Sequence, residues 1–166
     1  IMFWLVTLAH GLKLLGVKML FFLKNKKLSA NEAHKLCRGW GRSIFQFTPG
    51  WSIRIQGQDN LREFLKNPGV IVSNHESSTD VLAFYQLDLQ FRWLAKQSIF
   101  RLPLVGWGMR SAEYVSVNRT QRKSGQQALD QSRKVIRGGT SMLFFPEGTR
   151  STTGKPGKFK MGAFKL

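Results

Sequence analysis

Acidic residues are scarce in this chain. Only 9 of its 166 residues are Asp or Glu, against 26 Lys or Arg, for a formal charge of +17. Such an excess points to an anionic partner: nucleic acid, an anionic membrane face, an acidic carrier protein or a phosphorylated small molecule. Cys37 is the sole cysteine, so no disulfide can form within the chain, which fits a reducing compartment. His10, His34 and His75 have no His or Cys partner at ligand spacing, so a metal site finds no support. Gly-x-Ser-x-Gly occurs nowhere, which removes the nucleophile elbow of a serine hydrolase. Gly148 to Lys155 is one residue too long for a phosphate loop, and Pro156 replaces its hydroxyl residue. No nucleic-acid-binding motif is present, and nucleic acid is not an expected partner. Internal repeats and low-complexity tracts are also missing. The length suits one domain with a real core.

What is present divides into two parts. Residues 1–23 are almost wholly apolar, with Thr7, His10, Lys13 and Lys18 as the polar side chains. As a helix this stretch is roughly 34 Å long, enough to cross a hydrocarbon core. Two interior lysines make a clean span unfavourable, by about 2.5–3.5 kcal/mol each near the centre. Lys24, Lys26 and Lys27 follow the apolar run, the reverse of a signal peptide, whose basic residues come first. The order favours a membrane-embedded or interfacial anchor with its basic end in the cytoplasm; a buried core helix is the alternative. Ser29-Ala30-Asn31-Glu32 is a capping-box pattern and starts a helix reaching about Phe47. Leu36, Trp40, Ile44 and Phe47 make one stripe of it, and Lys35, Arg38 and Arg42 another. That arrangement suits an anionic lipid surface as well as a core helix with a solvated basic face. Residues 1–47 are therefore expected as a membrane-docking helix pair, and 48–166 as an α/β domain.

Beyond Thr48-Pro49-Gly50 the pattern changes. Trp51–Ile55, Val70–Ser73, Phe91–Ala95, Tyr114–Val117 and Ser141–Phe145 read as strands. Ser77–Leu87, Pro103–Ser111 and Gln121–Arg137 read as helices. Strands alternating with helices predict an α/β fold whose mixed, largely parallel sheet is flanked by helices. Residues 151–160 read as a flexible basic loop.

Two of these strands deliver chemistry. Val70–Ser73 ends at Asn74-His75, and open α/β sheets bind ligands at the carboxyl ends of strands. Imidazole titrates near pH 6.5, so His75 can act as a neutral base if an acceptor fixes its tautomer. Asp80, five residues on, is the candidate. Inside one helix the two side chains would diverge by about 140°. The pair works if His75 lies in the loop and Asp80 in the first helical turn. Ser77-x-x-Asp80 is equally a capping pattern, so Asp80 could instead serve its own helix. The second strand ends at Phe145-Pro146-Glu147-Gly148-Thr149-Arg150-Ser151. Gly148 permits a sharp turn, Arg150 can bind phosphate bidentately, and Glu147 can orient that Arg or the loop.

These blocks resemble the signatures of the 1-acylglycerol-3-phosphate acyltransferases and their glycerolipid acyltransferase relatives. Asn74-His75 with Asp80 resembles the family's first block. Ala95-Lys96 followed by Pro103, Gly106 and Arg119 resembles the second, and Phe145 to Ser151 the third. Lys158-Phe159-Lys160-x-Gly162-Ala163-Phe164 is similar to the stretch downstream. The resemblance implies that His75 is the general base, with Asp80 as its partner. It also implies that Asn74, Lys96, Arg119, Glu147, Gly148, Thr149 and Arg150 bind the acceptor. The implied reaction moves a fatty acyl group from acyl-CoA or acyl-carrier protein to a lysophospholipid, with no metal or other cofactor, on the cytoplasmic face of the cytoplasmic membrane. A fourth block is expected past Leu166, so the chain reads as truncated at its C-terminus. Alternatives are an enzyme acting on another lysolipid, such as a lyso-ornithine lipid, and a non-enzymatic basic membrane-binding module.

Overall fold

Four strands run parallel in the computed structural model, which describes residues 2–61, 63 and 66–166. They are β1 (Val70–Val72), β2 (Phe91–Lys96), β3 (Val115–Val117) and β4 (Ser141–Phe144), in the order β1-β4-β2-β3. The registers are Val72 against Phe144, Trp93 against Leu143, and Lys96 against Val117. Parallel neighbours need crossover connections, and the α/β alternation of the sequence supplies them. β4 lies between β1 and β2 and is buried along its whole length, which is why it reads as an unbroken apolar run rather than an alternating one. Because all four strands point one way, their carboxyl ends share one edge of the sheet.

The chain divides into two compact units. The sheet unit holds the described residues of 57–80, 89–97 and 115–166. Its core gathers Val115, Val117, Met142, Phe144 and Ala163 against Ala128 of the long helix Arg122–Arg137. Each large apolar side chain fully buried there contributes about 1.5–3 kcal/mol. Gly138 and Gly139 close that helix, Gly139 at φ +86°.

The helical unit holds the described residues of 1–56, 81–88 and 98–114. Its main elements are α1 (Met2–Leu23), α2 (Ala30–Phe47) and α4 (Val105–Ser111); α3 is the short helix Thr79–Phe84, and α5 is Arg122–Arg137 of the sheet unit. The capping box of α2 is present: Glu32 N–H donates to Ser29 Oγ at 3.2 Å, and Ser29 N–H donates to Glu32 Oε2 at 2.9 Å. The bond from Ser29 holds the exposed Glu32 carboxyl below its ordinary pKa. Gly41 lets α2 approach Tyr85, since a Cβ there would stand 2.6 Å from that ring. His34 is fully buried and its Nδ1 lies 2.8 Å from the Tyr114 hydroxyl, whose pKa burial pushes well up. α1 packs on α2 and α4 and buries Val6, Thr7, Gly11 and Leu14; Gly11 faces Leu104, and Trp40 Nε1–H donates to Thr7 Oγ1 at 3.0 Å. His10, Val17 and Phe21 are half-buried, and most of the rest of α1 is exposed, including Trp4, Leu5, Leu12, Met19, Phe22 and Leu23. By length and composition α1 is the one helix among the described residues able to cross a membrane.

Two sequence expectations change here. Residues 51–57 form no strand among the described residues, although Trp51, Ile53 and Ile55 alternate with polar residues. All three are exposed, and an alternating pattern without a partner strand has no ladder to join. Arg38 does not belong to the solvated basic stripe of α2. It is buried and pairs with Asp88 at 2.6 Å, and that bond holds the Asp88 carboxyl below its ordinary pKa. Lys35 and Arg42 remain on the exposed face.

Candidate active site

The carboxyl edge of the sheet brings the two loops together because β1 and β4 are neighbours. His75 stands three residues past β1, and Glu147 three residues past β4. His75 is held by its own main chain at both ends. Its N–H donates to Glu147 Oε1 at 2.8 Å, and its carbonyl accepts from Ser151 N–H at 2.7 Å. The imidazole stacks on Phe145, with centroids 4.0 Å apart and planes 10° apart, and Phe145 stacks in turn on Trp93 at 5.4 Å. The ring therefore has a fixed plane before any substrate arrives.

Asp80 serves both roles that the sequence left open. Its Oδ2 lies 2.8 Å from His75 Nδ1 and also accepts from Glu76 N–H and Ser77 N–H, each at 2.9 Å. Ser77 Oγ meanwhile accepts from Thr79 N–H at 3.2 Å. The carboxylate thus ties the start of α3 and the imidazole to one oxygen. Burial alone would raise its pKa. The bonds from Ser77, the His75 ring and Glu76, with the charge on His75, outweigh that and hold it below the ordinary value. At neutral pH Asp80 is ionised and can only accept, so His75 Nδ1 must carry the proton. In the neutral ring the lone pair then sits on Nε2, which has no hydrogen-bond partner among the described residues.

A stability consequence follows with a definite sign. A folded pKa below the unfolded value stabilises the fold fully above the unfolded pKa, about 3.9 for Asp, and that contribution is lost as pH falls through the lower folded value. The stability advantage of wild type over Asp80→Asn should therefore shrink as pH is lowered from about 5 to about 3 in denaturant titrations. A constant advantage across that window would show that the carboxylate is not the group being stabilised.

Glu147 is buried, and both its oxygens accept main-chain N–H bonds: Oε1 from His75, and Oε2 from Gly157 at 2.8 Å. Of the two roles the sequence offers Glu147, acceptor binding and orienting the loop, its carboxylate performs the second and joins three loop segments. Gly148 turns at φ +75°, and its carbonyl accepts from Arg119, two residues past β3. Arg119 is largely exposed, though desolvation of its head lowers its pKa while leaving it a cation. Arg150 donates to Ser78 Oγ at 3.2 Å, beside the His75 loop. Lys96 ends β2 at the same edge, exposed and without a bond to the others. Asn74 is exposed, with its amide 3.4 Å from Glu76, and Thr149 is exposed at the turn.

Sequence reasoning missed the irregular segment that closes this site. Residues 157–160 pass over the Glu147 turn: Gly157 donates to Glu147, and Lys160 N–H donates to Pro146 O at 2.9 Å. The Lys160 side chain lies against Gly148, its Nζ 2.8 Å from where a Cβ would be. The Lys158-Phe159-Lys160 run carried the signal, but nothing local in it shows what it covers.

Comparisons with known proteins identify the family of the chain. A family model described as Acyltransferase matches residues 52–166. A 1-acyl-sn-glycerol-3-phosphate acyltransferase of Chlamydomonas reinhardtii is 39% identical over 118 residues, covering 71% of this chain and 35% of that protein. A chloroplastic enzyme of the same name from Arabidopsis thaliana is 36% identical over 134 residues, covering 80% of this chain and 36% of that protein. This chain thus spans little more than a third of the length of those curated relatives. The crystal structure of the 1-acyl-sn-glycerophosphate (LPA) acyltransferase PlsC from Thermotoga maritima superposes with a TM-score of 0.66 at 23% identity, over 98% of this chain and 67% of that one. That likeness concerns the fold.

Proposed function

The chain belongs to the acyltransferase family, and from that premise we propose that it moves a fatty acyl group from an acyl thioester to the free hydroxyl of 1-acylglycerol 3-phosphate, giving phosphatidic acid. The observation that carries the reading is the His75–Asp80 contact, which leaves a lone pair on Nε2. That nitrogen takes the proton of the lysolipid hydroxyl. The hydroxyl oxygen attacks the thioester carbonyl, the carbon–sulfur bond breaks, and the imidazolium returns its proton to the leaving thiolate. Asp80 stabilises the imidazolium while it exists, and Phe145 beneath it offers the face of a π-system to the same cation. No covalent enzyme intermediate is required. Lys96, Arg119 and Arg150 suit the acceptor's phosphate, since a dianion needs several cations. The donor is acyl-CoA or acyl-carrier protein; the basic surface is compatible with either. Thiol release measured with and without a lysolipid acceptor tests the reading: release that depends on the acceptor supports it. Release without acceptor would indicate a thioesterase, and none with any lysolipid a binding module.

The bilayer holds both acceptor and product, so the site belongs at its surface. We infer that the uncovered face of α1, with Lys35 and Arg42 of α2, docks the protein on the cytoplasmic face of the membrane. Basic residues near an anionic surface contribute about 1 kcal/mol each, an attraction that salt screens while the apolar part persists. In liposome flotation, the protein lacking residues 1–47 should stay with the unbound fraction. Equal flotation of the shortened and intact proteins would refute docking by these helices.

A further inference from the structure

The outer face of α5 carries positive charge that the fold leaves unpaired. Arg122, Lys123, Lys134 and Arg137 are all exposed, and no carboxylate lies within ion-pair distance of them among the described residues. Asp130, the acidic residue of this helix, is already held by Arg133 at 2.7 Å and by Gln126 at 3.2 Å. At 3.6 residues per turn the four cations fall within one arc of about 120°. They extend over roughly 22 Å along the helix, at 1.5 Å per residue. Helix stability does not account for two of them. The first turn of α5 has no acidic residue and its N-cap makes no side-chain bond, so Arg122 and Lys123 face the positive end of the helix dipole. The apolar residues Ala128, Leu129, Val135 and Ile136 pack into the core of the sheet unit, and no large apolar side chain of α5 is exposed. A helix that docks on lipid turns an apolar face toward it, so this face suits a protein rather than a bilayer.

The same face begins beside the reaction site. α5 starts five residues past β3, at the sheet edge where His75 stands. Asn118 N–H donates to Ser124 Oγ at 2.9 Å, which ties the first turn of α5 to the end of β3. Arg119 then reaches the Gly148 carbonyl, and the neighbouring Glu147 holds the His75 N–H. Lys134 and Arg137 lie at the other end of α5, toward the amino end of β4 at Ser141. A small donor bound at His75 would meet only the first turn, whereas an acidic protein spans the whole stripe.

We propose that the basic face of α5 is the docking surface for an acidic carrier protein that brings the acyl thioester to His75. The assignment rests on the acyl-transfer reading above and names its donor. Charges of this kind steer encounter, and each exposed pair is individually weak. The full-length protein is compared with two double variants, Arg122→Gln with Lys123→Gln and Lys134→Gln with Arg137→Gln. Acyl-carrier protein and coenzyme A carrying the same acyl chain serve as donors. Each double variant should raise the KM for acyl-carrier protein roughly tenfold at low salt, with kcat and the KM for acyl-CoA little changed. The first double variant should be no less stable than wild type, because it relieves repulsion at the helix start. An equal rise in the KM for acyl-CoA would give the first turn to coenzyme A phosphates and overturn the proposal. No rise with the second double variant would reduce the face to a small-ligand site and overturn it too. Unchanged donor KM values with weaker flotation on phosphatidylglycerol vesicles would make the membrane the occupant instead. Binding of acyl-carrier protein, measured by calorimetry, gives a readout that does not need turnover. If wild type fails to acylate a lysolipid but both double variants weaken carrier binding, the acyl-transfer reading fails and the docking surface stands. If wild type binds no carrier protein, or all three proteins bind it equally, the docking surface fails whatever the activity.

Discussion

His75→Ala should lower turnover by at least about 10²-fold, the scale of a lost general base, while the fold stays intact. The side chain is removed from a loop whose position is set by main-chain bonds, from His75 N–H to Glu147 and from Ser151 N–H to the His75 carbonyl. Neither bond needs the imidazole. Circular dichroism and the unfolding midpoint should therefore change little while product formation collapses. Asp80→Asn should also lose activity, for a different reason. An amide can present its NH2 group to Nδ1 and leave the proton on Nε2, where it blocks the base. Near-wild-type turnover in His75→Ala would remove the base assignment even if every other contact were correct.

Glu147→Ala should be the most destabilising of the loop substitutions. The carboxylate is buried and satisfies the N–H groups of His75 and Gly157. Truncation leaves the half-buried His75 N–H unsatisfied, while the exposed Gly157 can turn its N–H to water; an unsatisfied buried donor costs about 1–3 kcal/mol, and a loss of that size is expected. Activity should fall at temperatures where the variant is still folded, because His75 loses the bond that places its backbone. Glu147→Gln keeps one acceptor oxygen and turns its NH2 toward the other N–H, so its stability should lie between the two. Urea unfolding read beside activity checks the ordering. A Glu147→Ala protein within about 0.5 kcal/mol of wild type would place the residue among ordinary surface positions.

Local chemistry made much of this legible. The Ser29–Glu32 capping box, the Gly138-Gly139 stop and the unbroken apolar run of β4 each state their structure in a few neighbouring residues. The His75–Asp80 spacing allowed a pair but fitted a helix cap equally well, and the structure shows Asp80 Oδ2 doing both. What could not be read depends on partners distant in sequence. Trp51 to Ile55 has strand-like alternation, but nothing nearby shows that no strand lies beside it. Arg38 looks solvated until Asp88 is brought to it. Arg119 and Lys160 each reach Gly148 from 29 and 12 residues away, through the strand order and the path of residues 157–160. Glu147 could be read as a substrate ligand or as a support for its loop, and the N–H groups of His75 and Gly157 on its two oxygens show the second role.

Product analysis tests the central claim most directly. The full-length protein is incubated with 1-acylglycerol 3-phosphate and an isotopically labelled acyl thioester, offered as acyl-CoA and as acyl-carrier protein, and the lipids are resolved by mass. The account predicts labelled phosphatidic acid from wild type, with free thiol in equal amount and almost none from His75→Ala. Labelled free fatty acid in place of phosphatidic acid, or equal product from both proteins, would contradict it.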